Sequence, residues 1–336
     1  MSMTYKEEKQ IKLEKKLQKV FDEQNVPDFI QDYFQDIASR TARINYWITI
    51  RDTLNWLISK KYIECNDISE ITPEMLNKIT KAKIIIYFDE LKRTIKLTTL
   101  KTKKNHLGSF WEYLKNEHYC RDNIIHAIKS EAYKPARTNR LKIAKTPLYE
   151  DIEEMIDKID GRSQEFIRIR NMTVFRVLRG TGLRVSELCG LNVNDVYLDE
   201  KYISKRTPRP FILVLSKGTY DYSDEGKDIV FLTNDAIIAL KEWLEYRNTL
   251  GFKTEALFIN QTGNRMLESD AQKMFKRYSK EKIHPHMMRH EYTTVLMRET
   301  NDPTFVREQG RWKSDAMMNN VYDSGTRRSV SALENM

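Results

Sequence analysis

The sequence predicts a mainly α-helical protein with one small β-hairpin, divided into two domains. Three observations carry this reading. Apolar residues recur at helical spacing over most of the 336 residues. Strand-like runs are confined to residues 202–232. A basic stretch containing two prolines, Lys134 to Pro147, interrupts the helical pattern and marks a boundary. A chain of this length is sufficient for two ordinary hydrophobic cores.

The elements follow in order. Residues 1–24 read as a charged arm, a helix on which Ile11, Leu13, Leu17 and Val20 form a sparse apolar stripe. Residues 25–133 read as a helical domain. Phe29, Ile30, Tyr33, Phe34 and Ile37 recur at helical spacing there, as do Ile48, Leu54, Leu57 and Ile58. Asp67-Ile68-Ser69 and Thr72-Pro73-Glu74 read as helix starts, the second with proline at the first helical position. In the stretch TTLKTKKNHLGSFWEYL, Thr98 or Thr99 is placed to cap a helix. Leu100, Leu107, Phe110, Trp111 and Leu114 line one side of it, and Lys101, Lys103 and Lys104 fall mostly on the other.

Residues 134–147 are the linker and 148–325 the second domain. Helices are predicted over Leu148–Ile159 and Glu165–Leu178, followed by a turn at Arg179-Gly180-Thr181-Gly182. The hairpin strands are Phe211–Leu215 and Asp228–Leu232, joined by a long polar loop. Helices return over Asp235–Leu250, over Ser269–Ser279 and from Met287 onward, and residues 326–336 form a tail.

Composition narrows the class. Hydrophobic residues make up 40% of the chain and charged residues 31%. No apolar run approaches the roughly 18 residues a membrane helix needs, and the N-terminal MSMTYKEEKQ lacks a signal-peptide core. A cytoplasmic location is therefore expected. Cys65, Cys120 and Cys189 show no metal-ligand spacing and read as reduced thiols. The net charge of +9 is localised: between residues 81 and 150, Lys and Arg outnumber Asp and Glu by 16 to 7, while the flanking regions nearly balance. Such a block is the electrostatic footprint of a polyanion-binding surface, or equally a solvated helix face with a basic linker.

Three short segments carry chemistry. TGLRVSELCGL places Arg184 and Glu187 one helical turn apart, and HPHMMRHEYTTVL places His286 and Arg289 on one helix face. GRWKSDAMMNNVY contains Trp312 and ends at Tyr322. In order, spacing and structural context, Arg, a hairpin Lys, His-x-x-Arg, Trp and Tyr together resemble the catalytic domain of tyrosine recombinases and phage-type integrases. The resemblance runs from about residue 145 to 325; residues 25–135 are similar, with less specificity, to the family's helical core-binding domain.

The resemblance implies a two-domain DNA clamp, a helical core-binding domain beside a mixed α+β catalytic domain. It implies a site-specific recombinase that breaks and rejoins duplex DNA through a 3′-phosphotyrosyl intermediate on Tyr322, without metal, ATP or other cofactor, assembling as a tetramer on its site. Arg184 and Arg289 match the arginines that hold the scissile phosphate, a role suited to guanidiniums that stay charged at neutral pH. Glu187 and His290 are supporting residues, His290 as a buried structural histidine. Lys217 matches the lysine that protonates the departing oxygen, with Lys227 as the alternative. His286 would bind phosphate or accept the phenol proton, and Trp312 would donate from its indole. The interval from Trp312 to Tyr322 is one residue longer than the family pattern, and a register kept from Tyr322 puts Lys313 in that place instead. Lys101, Lys103, Lys104, Arg137, Arg140 and Lys142 are the expected DNA contacts. A type IB topoisomerase-like relaxing enzyme and a non-catalytic DNA-binding protein of the same fold are the alternatives. Integration of a viral or other mobile element is among the biological roles the resemblance allows.

Overall fold

The computed structural model describes residues 5–129, 146–216 and 226–312, with Ser314 and Met318. The chain divides into two units, one ending at Thr138 and the other beginning at Asn139.

Helices are the main regular structure among the described residues of the first unit, joined by turns and irregular stretches. It comprises α1 (Tyr5–Glu23), α2 (Asp28–Asp32), α3 (Arg40–Ser59), α4 (Pro73–Asn77), α5 (Lys81–Lys92) and α6 (Leu97–Asn116). Ser39 caps α3 by accepting from the Ala42 N–H, and Pro73 opens α4 where its missing N–H costs nothing. α6 begins at Leu97, earlier than a cap at Thr98 or Thr99 would place it. The stretch read as an arm packs on α3, with Leu17 and Phe21 buried. Isoleucine and leucine make up most of this core, with aromatic pairs set among them: Phe21 meets Trp47 edge-on at 5.1 Å, and Phe110 meets Trp111 at 5.7 Å.

The second unit is built around α8 (Glu165–Thr181), which is buried along much of its length. Packed against it are α7 (Tyr149–Asp160), α10 (Asn234–Thr249) and α12 (Pro285–Thr300). The remaining helices are α9 (Val185–Gly190), α11 (Glu268–Tyr278) and α13 (Pro303–Gly310). Thr233 caps α10. The buried Arg247 near its far end donates to the carbonyls of Thr254 and Ala256, tying the following loop to the helix.

The predicted hairpin is present as β2 (Phe211–Val214) and β3 (Asp228–Phe231), antiparallel with Phe211 opposite Phe231 and Val214 opposite Asp228. A third strand, β1 (Val196–Tyr197), pairs with the outer side of β2 and completes the sheet order β1-β2-β3. Tyr197 stacks on Phe211 at 4.7 Å. No sequence signal marks β1, because two residues are too few to show alternation. Among the described residues no helix is long and apolar enough to cross a membrane, and no group of three or more His, Cys, Asp or Glu could hold a metal ion.

Candidate active site

The site begins where α8 stops. Gly182 adopts a left-handed backbone (φ 61°), and its N–H returns to the Leu178 carbonyl, which ends the helix. Leu183 is buried, and Arg184 then serves as the extended residue opening α9. A side chain at Gly182 would place its Cβ 2.5 Å from the Tyr292 ring. Gly182→Ala combines left-handed strain with that collision, and is expected to lower the stability of the second unit by about 2–4 kcal/mol. Urea denaturation read by circular dichroism checks this; a cost below about 0.5 kcal/mol would show that the turn yields freely.

Glu187, one turn into α9, reaches back to Arg184. Its carboxylate accepts the Arg184 backbone N–H at 2.9 Å and the Arg184 Nη1 at 2.6 Å, and the Nη2 of Arg311 at 3.0 Å. Burial opposes the charge on Glu187. The Arg311 and Arg184 guanidiniums and the Arg184 N–H overcome it, so its carboxyl lies below the usual carboxylate range. Arg184 remains 25% exposed, which leaves part of its guanidinium open to a ligand.

Arg289, on α12, is 1% exposed. Its Nη1 donates to the Gly182 carbonyl at 2.6 Å and its Nη2 to the Gly310 carbonyl, while Nε is buried without a partner. Its guanidinium lies 4.3 Å over the Trp312 ring, within cation–π range. Burial lowers the Arg289 pKa to about 9, and the neighbouring Arg184 and Arg311 charges push the same way. Trp312 is buried, and its indole N–H donates to the Thr293 hydroxyl at 3.3 Å. A Cβ on Gly310 would meet that indole at 2.5 Å, so the tight approach of this turn depends on glycine.

His286 is exposed on the first turn of α12, and its ring meets the buried His290 edge-on at 4.3 Å. Arg184, Glu187, Arg289 and Trp312 thus come together around the turns at Gly182 and Gly310. Lys227 lies at the base of the hairpin in a 2.7 Å ion pair with Asp195, both largely buried. Lys217, Lys313, Tyr322, Arg137, Arg140 and Lys142 lie outside the described residues. In the first unit Lys101 is exposed, Lys103 pairs with Asp52 at 3.1 Å, and Lys104 donates to the Ile128 carbonyl at 2.6 Å.

Residues 148–327 match the model of the phage integrase family, more than half of the chain. The chain belongs to the phage integrase family. Similar proteins include the tyrosine recombinase XerC of Thermodesulfovibrio yellowstonii, 28% identical over 63% of this chain and 66% of that protein. The XerC of Neisseria meningitidis serogroup B is 30% identical over 56% of this chain and 60% of that protein. The chain therefore spans less than two thirds of the length of these relatives.

The integrase-family fold extends further than these sequence matches. XerH recombinase bound to its difH substrate superimposes with a TM-score of 0.66 over 88% of this chain and 80% of that chain, at 20% identity. The Tn1549 transposon integrase in complex with transposon right-end DNA gives 0.63 over 91% of this chain and 97% of that chain, at 17% identity. A lambda integrase dimer bound to a core site gives 0.60 over 89% and 96%, at 18% identity. The predicted fold class is confirmed: mainly α, with the small sheet confined to the integrase-family unit.

Sequence reasoning missed two members of the site. Arg311 sits between Gly310 and Trp312 with no periodicity to announce it, and Thr293 reads as an ordinary helix residue. Only the tertiary approach of the turn after α13 to α9 and α12 reveals them.

Proposed function

We propose that the protein is a site-specific DNA recombinase that cuts and rejoins duplex DNA through Tyr322. The observation that carries this is the convergence of the Arg184 and Arg289 guanidiniums beside Trp312, in a chain that belongs to the phage integrase family. Attack on a phosphodiester builds negative charge on the nonbridging oxygens, and two fixed guanidiniums are suited to receive it. Arg184, partly exposed, takes one oxygen. Arg289, rigidly braced, supplies the second positive centre.

In this reading the Tyr322 Oη attacks phosphorus, and its proton passes to His286, the exposed base on α12. The bond to the 5′ oxygen breaks, and Lys217 protonates the departing oxygen. Lys227 is engaged with Asp195, which favours Lys217 as the acid. The phosphotyrosine conserves the energy of the broken bond, so rejoining by a 5′ hydroxyl needs neither ATP nor a metal ion. Trp312 supports Arg289 from below; its indole N–H, held on Thr293, would turn to phosphate only if that bond opened. Duplex DNA carrying a specific site is the partner, gripped largely by the basic stretch from 81 to 150 through exposed Lys101 and the linker residues Arg137, Arg140 and Lys142, with Lys103 and Lys104 beside them. Strand exchange between two sites would require about four protomers on DNA, acting in the cytoplasm on the chromosome or on a mobile element.

The test begins by selecting duplexes retained from a random-sequence pool and rebuilding them as nicked suicide substrates. In EDTA the full chain is expected to form an SDS-stable covalent adduct at the 3′ phosphate. Absence of an adduct on every retained sequence, with DNA binding intact, overturns the reading in favour of a binding protein.

A further inference from the structure

We propose that Arg311 is a positioning residue which, through the Glu187 carboxylate, holds Arg184 in the orientation needed for the scissile phosphate. This rests on the reading of the site as a phosphoryl-transfer centre. Glu187 is the carboxylate at the meeting point of two elements, α9 and the turn following α13. Each supplies a guanidinium: Arg184 at 2.6 Å and Arg311 at 3.0 Å. Arg311 is 6% exposed at its side chain, and so is placed to act on a neighbour rather than on DNA.

The backbone directs it there. Arg311 has a left-handed conformation (φ 52°), and the Trp312 N–H closes on the Arg307 carbonyl at 2.9 Å. The Arg311 Nη1 is also tied to the Gln309 carbonyl at 3.0 Å. One short turn thus sends Arg311 towards Glu187 and the Trp312 ring beneath Arg289. Arg289, from α12, is a further charged group in electrostatic interaction with Glu187. At the far end of α9, Arg265 is committed to the Cys189 and Leu191 carbonyls.

The chemistry follows from burial. A carboxylate this enclosed stays ionised only while its cations remain, and burial is the largest influence acting against it. Without Arg311 the Glu187 carboxyl titrates higher. As pH falls, protonation then removes the acceptor that holds Arg184. The loss is therefore greatest on the acid side and shrinks as pH rises. Arg311→Lys retains a charge without the planar fork and should recover part of the lost function.

Single-turnover adduct formation between pH 5.5 and 9 separates the possibilities. Arg311→Met is expected to lose about 10–100-fold near pH 6 and clearly less at pH 8.5, with Arg311→Lys between it and wild type. Glu187→Gln should flatten the acid limb and make the added Arg311→Met change small. Thermal melting accompanies each variant. If Arg311→Met does not fold, the upward shift of the acid limb is read in Arg311→Lys. An unchanged profile, or an equal loss at every pH, overturns the positioning role. If the wild type forms no adduct, the recombinase reading fails. The link itself is then judged by the Glu187 carboxyl titration in selectively labelled protein, assigned with Glu187→Gln. That titration should move up in Arg311→Met, and an unmoved titration overturns the link.

Discussion

Tyr322→Phe is expected to leave DNA retention at the wild-type level and to reduce covalent capture by at least on the order of 10⁴-fold. The substitution removes one oxygen, and with it the only atom that could join phosphorus at that position. A phenol is largely protonated at neutral pH, with an unperturbed pKa near 10, so attack depends on the surrounding cations and on a base. The most informative competitor is Tyr292, which faces the same guanidiniums. Its ring packs over Gly182, and burial raises its hydroxyl pKa although Arg311, Arg209 and Arg289 act to lower it. A protonated, enclosed tyrosine is a poor nucleophile. An adduct that survives in Tyr322→Phe and maps to another tyrosine by peptide sequencing would reassign the chemistry.

Arg289→Lys is expected to cut the cleavage rate by about 10²–10³-fold while changing DNA affinity by no more than about threefold. Arg289 donates to two carbonyls on different turns, and its guanidinium lies 4.3 Å over an indole ring. An ammonium on a flexible stem has three donors but no rigid fork to fix both carbonyls, and it lacks the planar guanidinium that lies over Trp312. Single-turnover cleavage together with equilibrium binding checks the prediction. The charge state argues for the same outcome. Arg289 sits in a desolvated pocket beside two other guanidiniums, which disfavour its positive charge, while the Glu187 carboxylate favours it. In the proposed reaction the scissile phosphate would bring a further anion to this pocket, and its negative charge would grow in the transition state. A Lys variant cleaving at the wild-type rate would show that a second positive charge suffices without the fork.

Helical periodicity made most of the fold legible. Leu148–Ile159 was expected and Tyr149–Asp160 is seen; the hairpin strands differ by a single residue at one end. The misses have local causes. The turn expected from Arg179 to Gly182 is helix as far as Thr181, because two glycines read as a break when only Gly182 adopts the left-handed form. At the candidate site the structure brings close to one another Arg184, Glu187, Arg289 and Trp312, which were singled out by short segments that together resemble the family. Arg311 was not, since its partner lies 124 residues earlier in sequence. The two carbonyls that receive Arg289 were equally invisible, because a main-chain acceptor has no identity in a sequence.

The reach of Arg289 also bears on how the protein is made. Its two carbonyl partners lie 107 residues before it and 21 residues after it. Domains fold as units while synthesis proceeds from the N-terminus. The first unit can therefore gather its core while the pocket is still open, and the brace closes only after Gly310 has left the ribosome. On the proposed reading, a nascent chain whose first unit has folded still lacks the Arg289 brace that cleavage would require.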